Sequence, residues 1–272
     1  MSSLSDLTYL SLIISLTRRR IAARFRGSLL GAAWIILLPL LMVALFTIVF
    51  THFLPVRWPS LQNTDQISPL HTALNIYLGL IVFNFVAENL ASAPSLVLEN
   101  PNYVKKIPFP LTILAYINTA ASVVPLLAGL IAAITLAFFD PLARPVNLLL
   151  APLYWLPLLV WAVAIHWLFG AISVYVRDIL HLIPPLTTAL MFLSPIFYSA
   201  ETLPAPWNTL LTFNPLTPAI EAARVLLYPP EPSVLLFPDP FPSLLSAGGA
   251  LITAVLARRF FHYLKPGFAD VL

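Results

Sequence analysis

Residues 18–53 read RRRIAARFRGSLLGAAWIILLPLLMVALFTIVFTHF. Arg18, Arg19, Arg20, Arg24 and Arg26 crowd the start, and from Leu29 to Phe53 there is no Asp, Glu, Lys or Arg. A helix needs about 20 mostly apolar residues to cross a bilayer core. This stretch supplies them, with Pro39 as an internal kink and a basic flank at one end only. It predicts a helix in lipid, anchored by its arginines.

The whole chain repeats that message. It has 272 residues, of which 60% are hydrophobic and 9% charged, with a mean hydropathy of +0.91. Soluble domains carry about 25% charged residues. The absence of Cys excludes disulfides, thiolate metal sites and thiol nucleophiles. A net charge of +3 is too small to point to nucleic acid.

Working outward by hydropathy gives about six spans: 29–53, 70–98, 111–139, 146–176, 179–200 and 241–263. Between the last two lies a Pro-rich segment whose apolar pieces, Trp207 to Phe213 and Thr217 to Tyr228, are too short to cross. Residues 203–228 are therefore expected to form short re-entrant helices. The expected fold is an all-α polytopic membrane protein, one transmembrane domain over 1–272. With six spans, eleven of the 14 Lys and Arg residues fall on the N-terminal side. Arg57, Arg144 and Arg224 remain for the other. This bias places both termini in the cytoplasm.

Upstream of the first span, residues 1–27 are expected to form a cytoplasmic interfacial amphipathic helix. Leu7, Leu10, Ile14, Ile21 and Phe25 recur at helical spacing, with Arg19, Arg20, Arg24 and Arg26 projecting away. Read plainly, it anchors topology among membrane-lipid headgroups. Read more sharply, it also receives an anionic lipid-linked substrate. A signal peptide is disfavoured, because the apolar run exceeds an h-region and no small-x-small site closes it.

Catalytic chemistry is missing from the sequence. None of the eight glycines precedes a Lys, so there is no P-loop to cradle nucleotide phosphates. The five His are scattered without metal-ligand spacing, and no G-x-S-x-G elbow occurs. Polar residues within spans are few. Asn84, Glu88 and Ser92 share one face of the second span, and a carboxylate there must meet protein or water. They either line a hydrophilic path or bond to Asn118 or Ser122 of the third span. Tyr77, Phe83, Phe85, Tyr116 and Tyr198 lie near such groups and are candidates for stacking on sugar rings. His166, beside Trp167, reads as packing or interfacial rather than as a ligand.

Several motifs in order resemble those of one family. Arg24-Phe25-Arg26-Gly27-Ser28-Leu29-Leu30-Gly31-Ala32-Ala33-Trp34 is similar to the R-[YF]-x-x-[ST]-x-L-G-x-x-W signature of ABC-2 type polysaccharide-export permeases. Asn100-Pro101-Asn102-Tyr103-Val104-Lys105-Lys106-Ile107-Pro108-Phe109-Pro110 resembles the family's N-x-N-L-V-x-K-x-x-F-P loop. Tyr175-Val176-Arg177-Asp178, Ser194-Pro195-Ile196-Phe197-Tyr198 and Asn214-Pro215-Leu216-Thr217 with Arg224 resemble three further segments. One departure is Arg19-Arg20-Ile21-Ala22, where such families often carry R-D-L-K.

The resemblance implies a permease subunit that is not itself an enzyme. A separate nucleotide-binding subunit would carry ATP and Mg, leaving no cofactor on this chain. Two copies would pair, and the cargo would be lipid-linked or anionic polysaccharide (O-antigen, capsule or teichoic acid) crossing the inner membrane. The loop with Asn100, Asn102, Lys105, Lys106, Phe109 and Pro110 would couple to the ATPase. Arg177 and Asp178 would lie with the N-terminal arginines at the cytoplasmic interface. Tyr77, Asn84, Phe85, Glu88, Tyr116, Asn118 and Tyr198 are the expected channel lining. The alternative is an ABC-2 exporter of a small hydrophobic molecule or lipid. An integral-membrane glycosyltransferase and a structural scaffold are the readings from other classes.

Overall fold

A computed structural model describes residues 2–24, 30–49, 53, 69–105, 109–229, 238 and 240–272. Among the described residues every regular element is helical. The order is α1 (Ser2–Arg24), a 3-10 turn, α2 (Trp34–Ile48), α3 (Pro69–Ser92), α4 (Ser95–Leu98), α5 (Pro101–Lys105) and α6 (Ile113–Ala137). A 3-10 turn (Pro145–Leu150) then leads into α7 (Ala151–Tyr175), followed by α8 (Ile179–Leu193), α9 (Trp207–Leu211) and α10 (Thr217–Leu227). The chain closes with α11 (Pro240–Leu264), a 3-10 turn and α12 (Phe268–Val271).

Among the described residues four helical runs are long and apolar enough to span: Pro69–Ser92, Ile113–Ala137, Pro145–Tyr175 and Pro240–Val271. The protein is an all-α polytopic membrane protein. Helices α2 and α8 are shorter, 15 residues each, or about 22 Å at 1.5 Å per residue. The expected span 179–200 thus ends early. Ser194 precedes Pro195, which pushes it to extended angles (φ −104, ψ 148) and ends the helix. The expected span 70–98 is broken for a related reason. Pro94 has no N–H to continue the ladder after Ala93, and the helix restarts as α4.

Helix α3 is the axle of the bundle. Its apolar residues run right round it, which marks a buried helix, and 83% of its most apolar stretch is enclosed by protein. The main core gathers on it from α6, α7 and α10, including Leu74, Leu78, Trp155 and Ile220. Close approach needs small residues. A Cβ on Gly129 of α6 would sit 3.1 Å from Ile81 of α3, and one on Gly170 of α7 would meet Leu96 and the Ala93 carbonyl. By contrast α11 packs mainly along α7 through Ala250, Ala257 and Phe261, and only 11% of its most apolar stretch is enclosed.

The bundle has two distinct ends. At the basic end, α4, α5, the Val176–Ile179 turn and α12 meet over a second core with Leu96, Trp167, Phe261 and Phe268. The last residue of α1, Arg24, also reaches the basic half of α3. At the opposite end lie the α6–α7 connection, α9 and α10. In α1, Ile13 and Leu16 pack on the second core while Leu10 and Ile14 are exposed. Phe25 and Arg26 of the anticipated amphipathic face lie outside the described residues.

Candidate functional site

At the basic end α4 and α5 form two short turns held on a fixed floor. The Asn100 amide donates to the Leu96 carbonyl at 2.9 Å, tying α5 to α4. Tyr103 stacks on Phe109, with centroids 4.5 Å apart. Both rings pack on the second core. Pro110 begins the turn into α6, its carbonyl accepting from the Ile113 N–H. Asn102 and Lys105 are exposed, and Lys106 lies outside the described residues. Ser173 of α7 donates to the Pro94 carbonyl at 2.6 Å, and Tyr175 donates to the Leu264 carbonyl at 2.9 Å. Phe268 is fully buried beneath, edge-on to Phe261. Arg177 and Asp178 sit exposed on the neighbouring turn. The arrangement is a rigid ledge with a polar, basic outer surface.

A cavity of about 820 Å³ opens beside this ledge, between α1, α2, α3 and α6. Its polar end carries Arg20, Arg24, Glu88 and Glu99, while Trp34, Leu38, Met42 and Phe46 of α2 form an apolar wall. Arg24 donates to Glu88 at 2.6 Å across 64 residues of sequence. Tyr77, Asn84, Phe85 and Asn118 also line this space. Five of the seven expected lining residues therefore share one cavity. Tyr116 does not join them: it stands edge-on to Trp167 at 5.5 Å. Tyr198 lies at the opposite end, its hydroxyl donating to the Phe192 carbonyl.

The polar trio of α3 has been split among partners. Glu88 meets Arg24 and Asn84 stays exposed. Ser92 Oγ lies 3.2 Å from His166 Nε2. His166 Nδ1 lies 2.9 Å from the Ala162 carbonyl, an acceptor, so that nitrogen carries the proton. The bond to Ser122 comes from Asn89, at 2.9 Å. Sequence reading missed Asn89. Its one signal is that it directly follows Glu88 on an apolar helix.

The opposite end is closed by a buried guanidinium. Arg224 of α10 donates from Nε to the Asn75 carbonyl (3.1 Å) and from Nη2 to the Ile196 carbonyl (2.8 Å). From Nη1 it reaches the Tyr198 carbonyl and Glu221. Gly79 gives it room, since a Cβ there would lie 3.3 Å from Nη2. Beside it Tyr228 donates to Asp140 at 2.8 Å, the Leu142 N–H donates to the other carboxylate oxygen, and His71 Nδ1 stands 3.6 Å away. Burial alone would raise the Asp140 carboxyl, but the neighbouring His71 and the hydrogen bonds from Tyr228 and Leu142 outweigh it and hold it below the usual range. The Tyr228 hydroxyl is raised by burial and by that neighbouring charge. These contacts knit α3, the α6–α7 connection and α10 into one cap. Nothing local in the sequence announces the His71–Asp140–Tyr228 group.

The family model described as ABC-2 type transporter matches residues 11–228, from within α1 through the cap. The chain belongs to the ABC-2 type transporter family. Relatives align with it over nearly their whole length. The O-antigen export system permease protein RfbA of Myxococcus xanthus is 22% identical over 264 residues, covering 96% of this chain and 95% of that protein. Two proteins of the same description from Klebsiella pneumoniae are 22% and 21% identical over 269 residues, covering 98% of this chain and 97% of each. The α4–α5 ledge, the cavity and all of α10 fall within the ABC-2 match.

Proposed function

We propose that this chain is the membrane half of an ATP-driven exporter that moves a lipid-linked or anionic polysaccharide across the cytoplasmic membrane. The observation that carries the reading is the end-to-end alignment with permeases described as O-antigen export proteins. The ABC-2 family implies an ABC ATPase as partner, and the sequence has no P-loop of its own. Hydrolysis of Mg-ATP is assigned to that second subunit. Two copies of this chain pair to enclose the conduit, as cyclic homodimers commonly do. The ledge of α4 and α5 is the docking element. Hydrolysis biases the bundle through rigid shifts transmitted by Ser173–Pro94 and Tyr175–Leu264.

The orientation follows from charge. Lys105, Arg177, Arg258, Arg259 and Lys265 gather with Arg24 at one end, while Arg144 and Arg224 lie at the other. The basic end is cytoplasmic. Helices α2 and α8 complete six crossings, leaving both termini on that side, with α9 and α10 as re-entrant pieces.

The test is to express the chain in its native host and purify by a tag on this chain. A P-loop subunit at equal stoichiometry, with hydrolysis dependent on it, is the expected result. Nucleotide hydrolysis by the isolated chain would overturn the reading. Export assays with polymer-bearing and polymer-free lipids separate a polysaccharide exporter from one that moves small amphiphiles.

A further inference from the structure

The cavity between α1, α2, α3 and α6 has a chemical gradient built into it. One end presents Arg20 and Arg24, one helical turn apart, beside Glu88 and Glu99, while Trp34, Leu38, Met42 and Phe46 form an apolar wall along α2. Two guanidinium groups next to an apolar wall match an amphiphile whose anionic head can displace a carboxylate. The anion position already has an occupant, because the Glu88 carboxylate sits 2.6 Å from Arg24 Nη1. Arg24 is 49% exposed and Glu88 34%, so the pair stands at an accessible mouth rather than in a sealed core. An exposed pair is weakly held. A phosphate or diphosphate offers more charge and more acceptor oxygens to a guanidinium fork than a carboxylate does.

Glu88 has somewhere to go. A second hollow of about 590 Å³ lies on the other side of α3, against α8, and Asn84 and Glu88 line both spaces. The second hollow also carries Thr187 and Thr188 of α8. A carboxylate released by Arg24 thus borders a second open space from the same position on α3.

We propose that Arg24–Glu88 is a latch on a lipid-headgroup site: the phosphate head of a lipid enters this cavity, takes Arg24 from Glu88, and undoes the side-chain tie between α1 and α3. The inference rests on the exporter reading above, since an anionic lipid-linked cargo needs such an entry point. It adds the competing carboxylate and the release it controls.

The test uses the full chain with its ATPase in nanodiscs and a fluorescent short-chain polyprenyl diphosphate as probe. Glu88→Gln removes the competitor and is expected to tighten probe binding, and Arg24→Gln to weaken it, each by roughly tenfold. The exchanged pair, Arg24→Glu with Glu88→Arg, is expected to keep the wild-type melting temperature yet lose the probe. The latch is overturned if Glu88→Gln binds no tighter, or if the exchanged pair binds like wild type. Competition identifies the source of the headgroup: phosphatidylglycerol displacing the probe points to bulk lipid, and displacement by polyprenyl diphosphate alone points to cargo. Inorganic pyrophosphate competing as well as the lipid would overturn the lipid assignment. Normal export by Arg24→Gln would sink the latch while leaving the exporter intact, whereas failure to copurify an ATPase sinks the exporter alone.

Discussion

Arg224→Ala is expected to destabilise the chain by about 3–5 kcal/mol, the usual effect of removing one partner from a buried charged pair. The substitution strips hydrogen bonds from the carbonyls of Asn75, Ile196 and Tyr198 and leaves Glu221 without its cation. Three separate elements lose their common tie, so α10 detaches from α3 and from the Ser194–Tyr198 segment. Folded yield and thermal melting in detergent give the readout. Arg224→Lys should recover only part of the loss, because one ammonium cannot reproduce the guanidinium fork. A melting temperature for Arg224→Ala equal to that of wild type would show that the guanidinium does not hold the cap.

The second large effect is expected at the opposite end and leaves stability untouched. Reversing charge at Lys105 and Lys106 should reduce ATPase copurification at least tenfold, by roughly 1.4 kcal/mol or more, and abolish export. Lys105 is exposed at the end of α5, so its replacement removes no core contact. Phe109→Ala acts differently. It unstacks Tyr103 from the ledge and should both uncouple hydrolysis and lower the melting temperature. If the double charge reversal preserves both copurification and export, α5 is not the docking element.

Hydropathy alone made the helices legible. Twenty or more apolar residues without charge have few options in lipid, so Ile113–Ala137 and Ala151–Tyr175 emerge almost where the sequence places them. Breaks were less visible, because Pro94 and Pro195 interrupt apolar runs that look continuous by hydropathy. The cavity was partly legible. Tyr77, Asn84, Phe85 and Glu88 share α3, and Asn118 adds α6, but nothing in the sequence tells Glu88 that its partner lies 64 residues upstream. Tyr116 and Tyr198 look alike as aromatics near polar neighbours, yet helix rotation turns one toward Trp167 and the Pro195 break carries the other to the cap. The cap itself was illegible. His71, Asp140 and Tyr228 are scattered singly along the chain, and only the folded path brings them together.

Helix α11 leans mainly on one neighbour and leaves most of its circumference uncovered by the described residues. Acyl chains packed on that face would help keep it upright, and a micelle supplies little of that. On solubilisation α11 should be the first long helix to loosen, and with it Phe261 and Phe268, the footing beneath the ledge. Hydrogen exchange over residues 240–264, faster in detergent than in nanodiscs while α3 stays protected in both, would register this; equal protection in the two media would refute it. A preparation that has lost its ATPase grip need not carry a defective ledge, since it has first lost the lipid that shored up its outermost post.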